Sequence, residues 1–313
     1  MSKRVYITGG KGFIARQLGD QFTASGHTVI DDDHISAAGF DVHRLQGTGE
    51  ICVHRNDESK WSSILESMDV EIVVHNAAVV GTDVVALNPG ESVLSNVQGT
   101  HNIVRAANSV GVGVCYLGTT VIYDTDLYQN EAITERSVKR PRTYYGVQKL
   151  AGEQIVSTMA KEWVVVRPLF AFGGRGDMNS LIAKGIFAAL RGETVDMFLD
   201  PARVKDYLHV SDFCRAVEML CCNPKAWGTD YNVAAETPIA VNAVVDAIGR
   251  VTGREIRKFV RWHPRVDYLG NHMLSAAKVR ALVGWSPRLT LEDGVRETMR
   301  SIEASKEIGR AHV

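Results

Sequence analysis

The strongest constraint on this chain is the spacing of its apolar runs. Val5–Thr8, His27–Ile30, Ile51–Val53, Glu71–His75, Gly113–Leu117 and Trp163–Arg167 are short and apolar with little alternation. Strands covered on both faces read this way. Helical patterns lie between them, through Phe13, Ile14, Leu18 and Phe22, then near Trp61–Met68, Glu91–Ser109 and Tyr144–Ala160. Strand and helix in strict alternation predict an α/β fold with a doubly wound parallel sheet. After Arg167 the rhythm loosens into a loop with Pro168, Gly173, Gly174 and Gly176, and later helices fall near 241–252, 276–283 and 291–305. The 313 residues fit about two domains at roughly 150 residues each. The second half reads as a smaller lobe against the sheet.

Thr8-Gly-Gly-Lys-Gly-Phe-Ile-Ala15 stands between the first strand and the first helix. Glycines at 9 and 12 let the backbone turn tightly and approach a pyrophosphate, and Ala15 lets helix pack closely on strand. The helix N-terminus offers N–H groups and partial positive charge to the phosphates. Lys11, Phe13 and Ile14 complete the loop. An acidic residue closing the second strand is the expected partner of the ribose hydroxyls; Asp31, Asp32 and Asp33 supply it, with Asp33 favoured by strand phasing. A carboxylate there repels an additional phosphate, so NAD is expected over NADP.

Tyr145 and Lys149 are four residues apart on a predicted helix and share one face. A tyrosine hydroxyl, with a pKa of about 10, is a poor base at neutral pH. An ammonium one turn away favours the tyrosinate and makes Tyr145 a candidate general acid/base for an alcohol losing hydride. Thr119, just past the strand at 113–117, can hydrogen-bond the same oxygen.

Taken in order, these motifs resemble the extended short-chain dehydrogenases/reductases of the NAD-dependent epimerase/dehydratase family. Thr8–Ala15 matches the nucleotide loop, Val74–Ala78 the segment along the cofactor, and Asn96-Val-Gln-Gly-Thr100 the helix asparagine that steadies the active site. Gly118–Tyr123 places Thr119 at the catalytic Ser/Thr. Tyr144–Lys149 matches the catalytic helix, with Gln148 where serine is usual. Arg167-Pro168, Lys205–Asp212 and Gly284–Pro287 match the C-terminal half.

The resemblance implies a Rossmann domain over 1–168 that carries Tyr145 and Lys149. Residues 169–313 are then mainly a substrate-binding lobe, with some segments returning to the sheet. It adds Asp57, Asn76, Ala77 and Ala78 to the cofactor contacts and Asn96 to the catalytic set. It also implies a nucleoside-diphosphate sugar as substrate, met by Thr120, Arg203, Lys205 and Arg265, and a homodimer through the helices near 91–109 and 144–160.

Several positions depart from the family pattern. Phe170 replaces an asparagine, and Lys205 replaces an arginine, which keeps the charge without the bidentate fork. Thr120-Val121 replace the Asp-Glu pair of the sugar 4,6-dehydratases; valine cannot move a proton, so dehydration is disfavoured. The expected activity is NAD-dependent 4-epimerisation through a transient 4-keto intermediate. The alternative is a 4-ketoreductase or dehydrogenase acting on a nucleotide sugar or a non-nucleotide alcohol. A non-catalytic NAD(P)-sensing scaffold is a third reading, weakened because Tyr145, Lys149 and Thr119 are all present.

Composition narrows the partners. With 35 basic and 36 acidic residues the net charge is −1, so no broad basic field for nucleic acid is expected. No run of about 18 apolar residues suggests a membrane span. Cys52, Cys115, Cys214, Cys221 and Cys222 lack paired metal spacing and read as reduced thiols of a cytoplasmic protein. No metal site is expected; His75 and His209 are read as packing or bonding locally.

Overall fold

The computed structural model describes residues 2–31, 58–174, 177, 180–197, 200–260 and 270–304. Asp33, Asp57, Arg265, Cys52 and the expected strand Ile51–Val53 lie outside them. The chain divides into two compact units. The first comprises Met1–Tyr123, Val138–Arg167 and Cys214–Tyr231; the second comprises Asp124–Ser137, Pro168–Phe213 and Asn232–Val313.

The first unit is built on a sheet. Its elements are β1 (Arg4–Thr8), α1 (Phe13–Ala24), β2 (Thr28–Ile30), α2 (Glu58–Ser67), β3 (Ile72–His75), α3 (Thr82–Leu87) and α4 (Pro89–Val93). A π-helical segment at Leu94–Gly99 leads into α5 (Thr100–Val110), followed by β4 (Gly113–Leu117), α6 (Tyr144–Met159) and β5 (Trp163–Pro168). With Thr229–Val233 the strands order as 229–233, β5, β4, β3, β1, β2. The pairs β1–β2, β1–β3, β3–β4 and β4–β5 are all parallel. Every residue of β3 and β4 is buried, as their unbroken apolar runs require. Tyr6, Trp61, Ile64, Val73, Ile103 and Val114 form the core on one face, where α2 packs on α5.

Local chemistry sets the helix ends. The Thr143 hydroxyl caps α6 by accepting the Gly146 N–H at 2.9 Å, a contact worth about 1 kcal/mol. The regular helix expected over 91–109 is instead interrupted: α4 passes through the π-helical turn before α5 begins. Such turns insert an extra residue into the helical repeat and redirect side chains.

The second unit has helices at Leu181–Arg191, Val241–Thr252 and Leu291–Ala304 around Ile182, Ile186, Val244, Ile248 and Val295. Short strand pairs accompany them: Thr194–Met197 with Arg257–Val260, Val204–Lys205 with Ile239–Ala240, and Ala171–Phe172 with Leu208–His209. Trp285 is fully buried and donates its indole N–H to the Asp212 carbonyl at 3.0 Å.

Candidate active site

The glycine loop leaves β1 at Thr8 and turns on itself, the Gly12 N–H meeting the Gly9 carbonyl at 2.8 Å. Gly9 adopts φ +70°, and a Cβ there would lie 3.0 Å from the Ala77 backbone. Only glycine meets both demands. Gly12 is the N-cap of α1 and brings no side chain across the helix end. Lys11, Phe13 and Ile14 are half-buried beside it, and Ala15 packs inward. A bare turn, a helix N-terminus without a capping side chain, and the Asn76-Ala77-Ala78 backbone at the adjoining strand end fit the pyrophosphate of a dinucleotide.

Behind this loop runs a buried line of hydrogen bonds. The Thr8 hydroxyl accepts the N–H groups of Asn76 and Ala77 at 3.1 and 2.9 Å and meets His75 Nδ1 at 2.9 Å. His75 Nε2 meets the Thr100 hydroxyl at 3.1 Å, and Thr100 donates to the Asn96 carbonyl at 2.8 Å. Burial, aided by the charge of Lys149, pushes the His75 pKa down to about 3, so the ring is neutral. Asn96, in the π-helical turn, holds Val79 on both sides: its Oδ1 accepts the Val79 N–H at 2.7 Å and its Nδ2 donates to the Val79 carbonyl at 3.0 Å. Nδ2 also donates to Gln148 Oε1 at 2.8 Å, and Gln148 Nε2 donates to Ser92 Oγ at 2.9 Å.

Gly146 lets the first turn of α6 press onto the segment after Thr119. A Cβ on it would stand 2.9 Å from both the Val121 carbonyl and the Pro141 ring. Thr119 itself ends an extended stretch and caps the short turn Thr120–Ile122, in which Thr120 is buried. Tyr145 is half-buried on that first turn. One turn on, Lys149 is 3% exposed, donates to the Leu117 carbonyl at 2.7 Å and lies 4.1 Å from the Tyr116 ring centroid. Burial lowers its pKa to about 7, while Glu153 pulls the other way. Glu153 is fixed in turn by a two-pronged contact with the buried Arg167, at 2.9 and 2.8 Å. Arg167 also reaches Tyr123 Oη at 2.8 Å and Asp230 at 2.6 Å.

Thus the first unit gathers the glycine loop, Asn76–Ala78, Asn96, Thr119, Thr120, Tyr145 and Lys149. Arg203 and Lys205 belong to the second unit. Arg203 is half-buried. Lys205 is wholly buried, donates to the Gly270 carbonyl and faces Phe170, its Nζ 5.6 Å from the ring centroid. Burial and the nearby charge of Arg203 lower its pKa to about 7. Sequence reasoning missed the partnerships of His75, Thr100, Gln148 and Ser92. The one available signal was Gln148 in place of serine.

A second cluster is no metal centre. His27, Glu218 and Cys222 bring ligand-type atoms within 4.8 Å of one another. Nδ1 of His27 accepts the Lys3 N–H at 3.0 Å, so the neutral ring carries its proton on Nε2, facing Glu218 and Cys222. That nitrogen has no lone pair for a cation.

Residues 5–234 match the NAD dependent epimerase/dehydratase family. The chain belongs to that family. It is an NAD-dependent enzyme of the extended short-chain dehydrogenase/reductase type, and NAD is its cofactor. Among its relatives is a UDP-glucose 4-epimerase of Mycolicibacterium smegmatis, 25% identical, with 95% of this chain and 97% of the relative covered. A UDP-N-acetyl-alpha-D-glucosaminuronate decarboxylase of Bacillus cytotoxicus is 23% identical, with 96% and 98% covered. The fold is also that of the Thermus thermophilus UDP-glucose 4-epimerase solved with NAD. There the TM-score is 0.81 at 22% identity, over 96% of this chain and 99% of that one. Among the described residues no helix is long and apolar enough to cross a membrane.

Proposed function

We propose that this family member is a nucleotide-sugar 4-epimerase that works through a transient 4-keto sugar. The observation that carries the reading is the seating of α6. Gly146 packs its first turn beside the Thr119–Val121 segment, and Lys149 is tied to Leu117, two residues before Thr119. When bound, NAD would supply the hydride acceptor and donor. Tyr145 accepts the proton of the sugar hydroxyl and later returns it, while the Thr119 hydroxyl holds the same oxygen. Lys149, kept beside Glu153, favours the tyrosinate when charged. Asn96 holds the backbone at Val79. The side chains at 120 and 121 are threonine and valine, so those two positions offer no acid–base pair for eliminating water.

NAD would be held by Gly9, Lys11, Gly12, Phe13, Ile14, Asn76, Ala77 and Ala78, together with Tyr145, Lys149, Asp33 and Asp57. Thr120, Arg203, Lys205 and Arg265 serve the nucleoside-diphosphate sugar, residues 169–313 supplying most of the substrate lobe. The protein works as a homodimer in the cytoplasm. Leu87, 81% exposed, with Val84, Leu94 and Val147 on α3, the π-helical turn and α6, provides apolar surface for the second copy.

One observation favours a second reading. Lys205 is already satisfied by the Gly270 carbonyl and by Phe170, which suits a reductase or dehydrogenase of an alcohol without a diphosphate. Incubation with UDP-glucose and UDP-glucuronate, followed by proton NMR of the sugars, tests the first reading. Conversion of either to its 4-epimer without added NAD supports it. Binding of neither these nor free UDP would contradict it.

A further inference from the structure

The donors and acceptors behind the glycine loop follow from the backbone groups at its ends, whose N–H can only donate and whose C=O can only accept. Two backbone N–H groups occupy the lone pairs of the Thr8 hydroxyl, so its proton goes to His75 Nδ1. His75 is therefore the Nε2–H tautomer and donates to Thr100, whose own proton goes to the Asn96 carbonyl. At the other end, Val79 N–H fixes which atom of the Asn96 amide is oxygen. Its nitrogen then spends one proton on the Val79 carbonyl and one on Gln148 Oε1. Gln148 must in turn direct Nε2 at Ser92, which passes its proton to the Pro89 carbonyl at 3.0 Å. Two runs of donors meet at Asn96: one leads from the Asn76–Ala77 backbone to its main-chain carbonyl, and the other from its side-chain amide to α4.

Asn96 consequently has no N–H left to give to a ligand. Its task is to clamp Val79, and Gln148 takes up the amide hydrogen that the clamp leaves over. A serine at 148 would carry its oxygen closer to the α6 backbone and fall short of Asn96.

We infer that Gln148 is a positioning residue: through Asn96 and the His75–Thr100 link it locks the Asn76–Val79 backbone and the Thr8 end of the glycine loop into one arrangement for NAD. This rests on the assignment of those segments to NAD. The sugar reaction does not enter, so failure of the epimerase reading leaves the test intact.

The test is NAD titration into the stripped protein, with melting temperature measured in parallel, for Gln148→Met, Thr100→Val and the double variant. Both single changes keep the side chain's bulk and remove its hydrogen bonds. Gln148→Ser is measured alongside should the methionine variant fail to fold. Thr298→Val is the control, since its buried hydroxyl bonds the Gly294 carbonyl at 2.7 Å in the second unit. Each of the first two changes removes two buried hydrogen bonds and should weaken NAD binding at least about fivefold. The double variant should lose less than the product of the two, because both break one network. Thr298→Val should lower the melting temperature and leave NAD affinity unchanged. Wild-type NAD affinity in both Gln148 variants, or losses that simply multiply, would overturn the positioning role. A wild-type protein that binds no NAD would instead overturn the assignment of the loop.

Discussion

Lys149 and Lys205 make the most instructive comparison in the molecule. Both are buried, both donate to a backbone carbonyl, both face an aromatic ring, and burial lowers both to a pKa of about 7. Their electrostatic neighbours differ in sign. Glu153, held by Arg167, supports a proton on Lys149, whereas Arg203 discourages one on Lys205. Desolvation alone therefore does not distinguish the two amines. The neighbouring charge does, together with what lies one helical turn away: for Lys149 that is Tyr145.

The largest test of this contrast is Tyr145→Phe. Turnover should fall by about 10³-fold or more, with NAD affinity nearly unchanged in the same preparation. Comparable turnover in the variant would remove Tyr145 from the chemistry. Next, Lys149→Met should lower turnover by about 10²-fold and weaken NAD, while Lys205→Met should leave NAD affinity as it is. Equal effects of the two on NAD binding would erase the distinction. Thr119→Ala should cost about tenfold to a hundredfold in turnover, and Thr119→Ser should restore most of it.

Two smaller effects are read from stability against pH. Between pH 7 and 10.5 the unfolded chain holds a proton on residue 205 that the folded chain releases, so Lys205 costs most stability at and below pH 7. Any stability advantage of Lys205→Met over wild type should be greatest there and shrink as pH rises to 10.5. Denaturant titrations across that range that show a constant difference would contradict the burial of a neutral amine. His75 acts on the acid side. Folding stability should fall as pH drops from 6.5 towards 3, because the unfolded imidazole takes up a proton that the buried ring refuses. His75→Gln should flatten that limb, and an unchanged acid limb would count against the neutral ring.

Much of this was legible from residue order. Unbroken apolar runs gave five of the six strands of the sheet but not Thr229–Val233, the glycines gave the loop before α1, and the four-residue interval gave the shared face of Tyr145 and Lys149. The rest depended on contacts between distant positions. Thr8 meets His75 across 67 residues, and Asn96 meets Gln148 across 52, so no local window could show either pairing. The π-helical turn that carries Asn96 has no periodic signal of its own, since it shifts the helical repeat only once. The burial of Lys205, a charge expected to meet a diphosphate, was likewise out of reach, because it is decided by a segment far along the chain, at Gly270–His272.

In the proposed epimerisation, hydride leaves the sugar and returns to it within one turnover, with Tyr145 moving the proton. The most direct measurement is to denature the protein as purified and quantify released NAD(H) by absorbance and mass spectrometry. An epimerase should release NAD close to one per chain, retained without addition. An empty site that takes up NADH or NADPH only reversibly, and is spent by each turnover, would contradict it and identify a reductase or dehydrogenase.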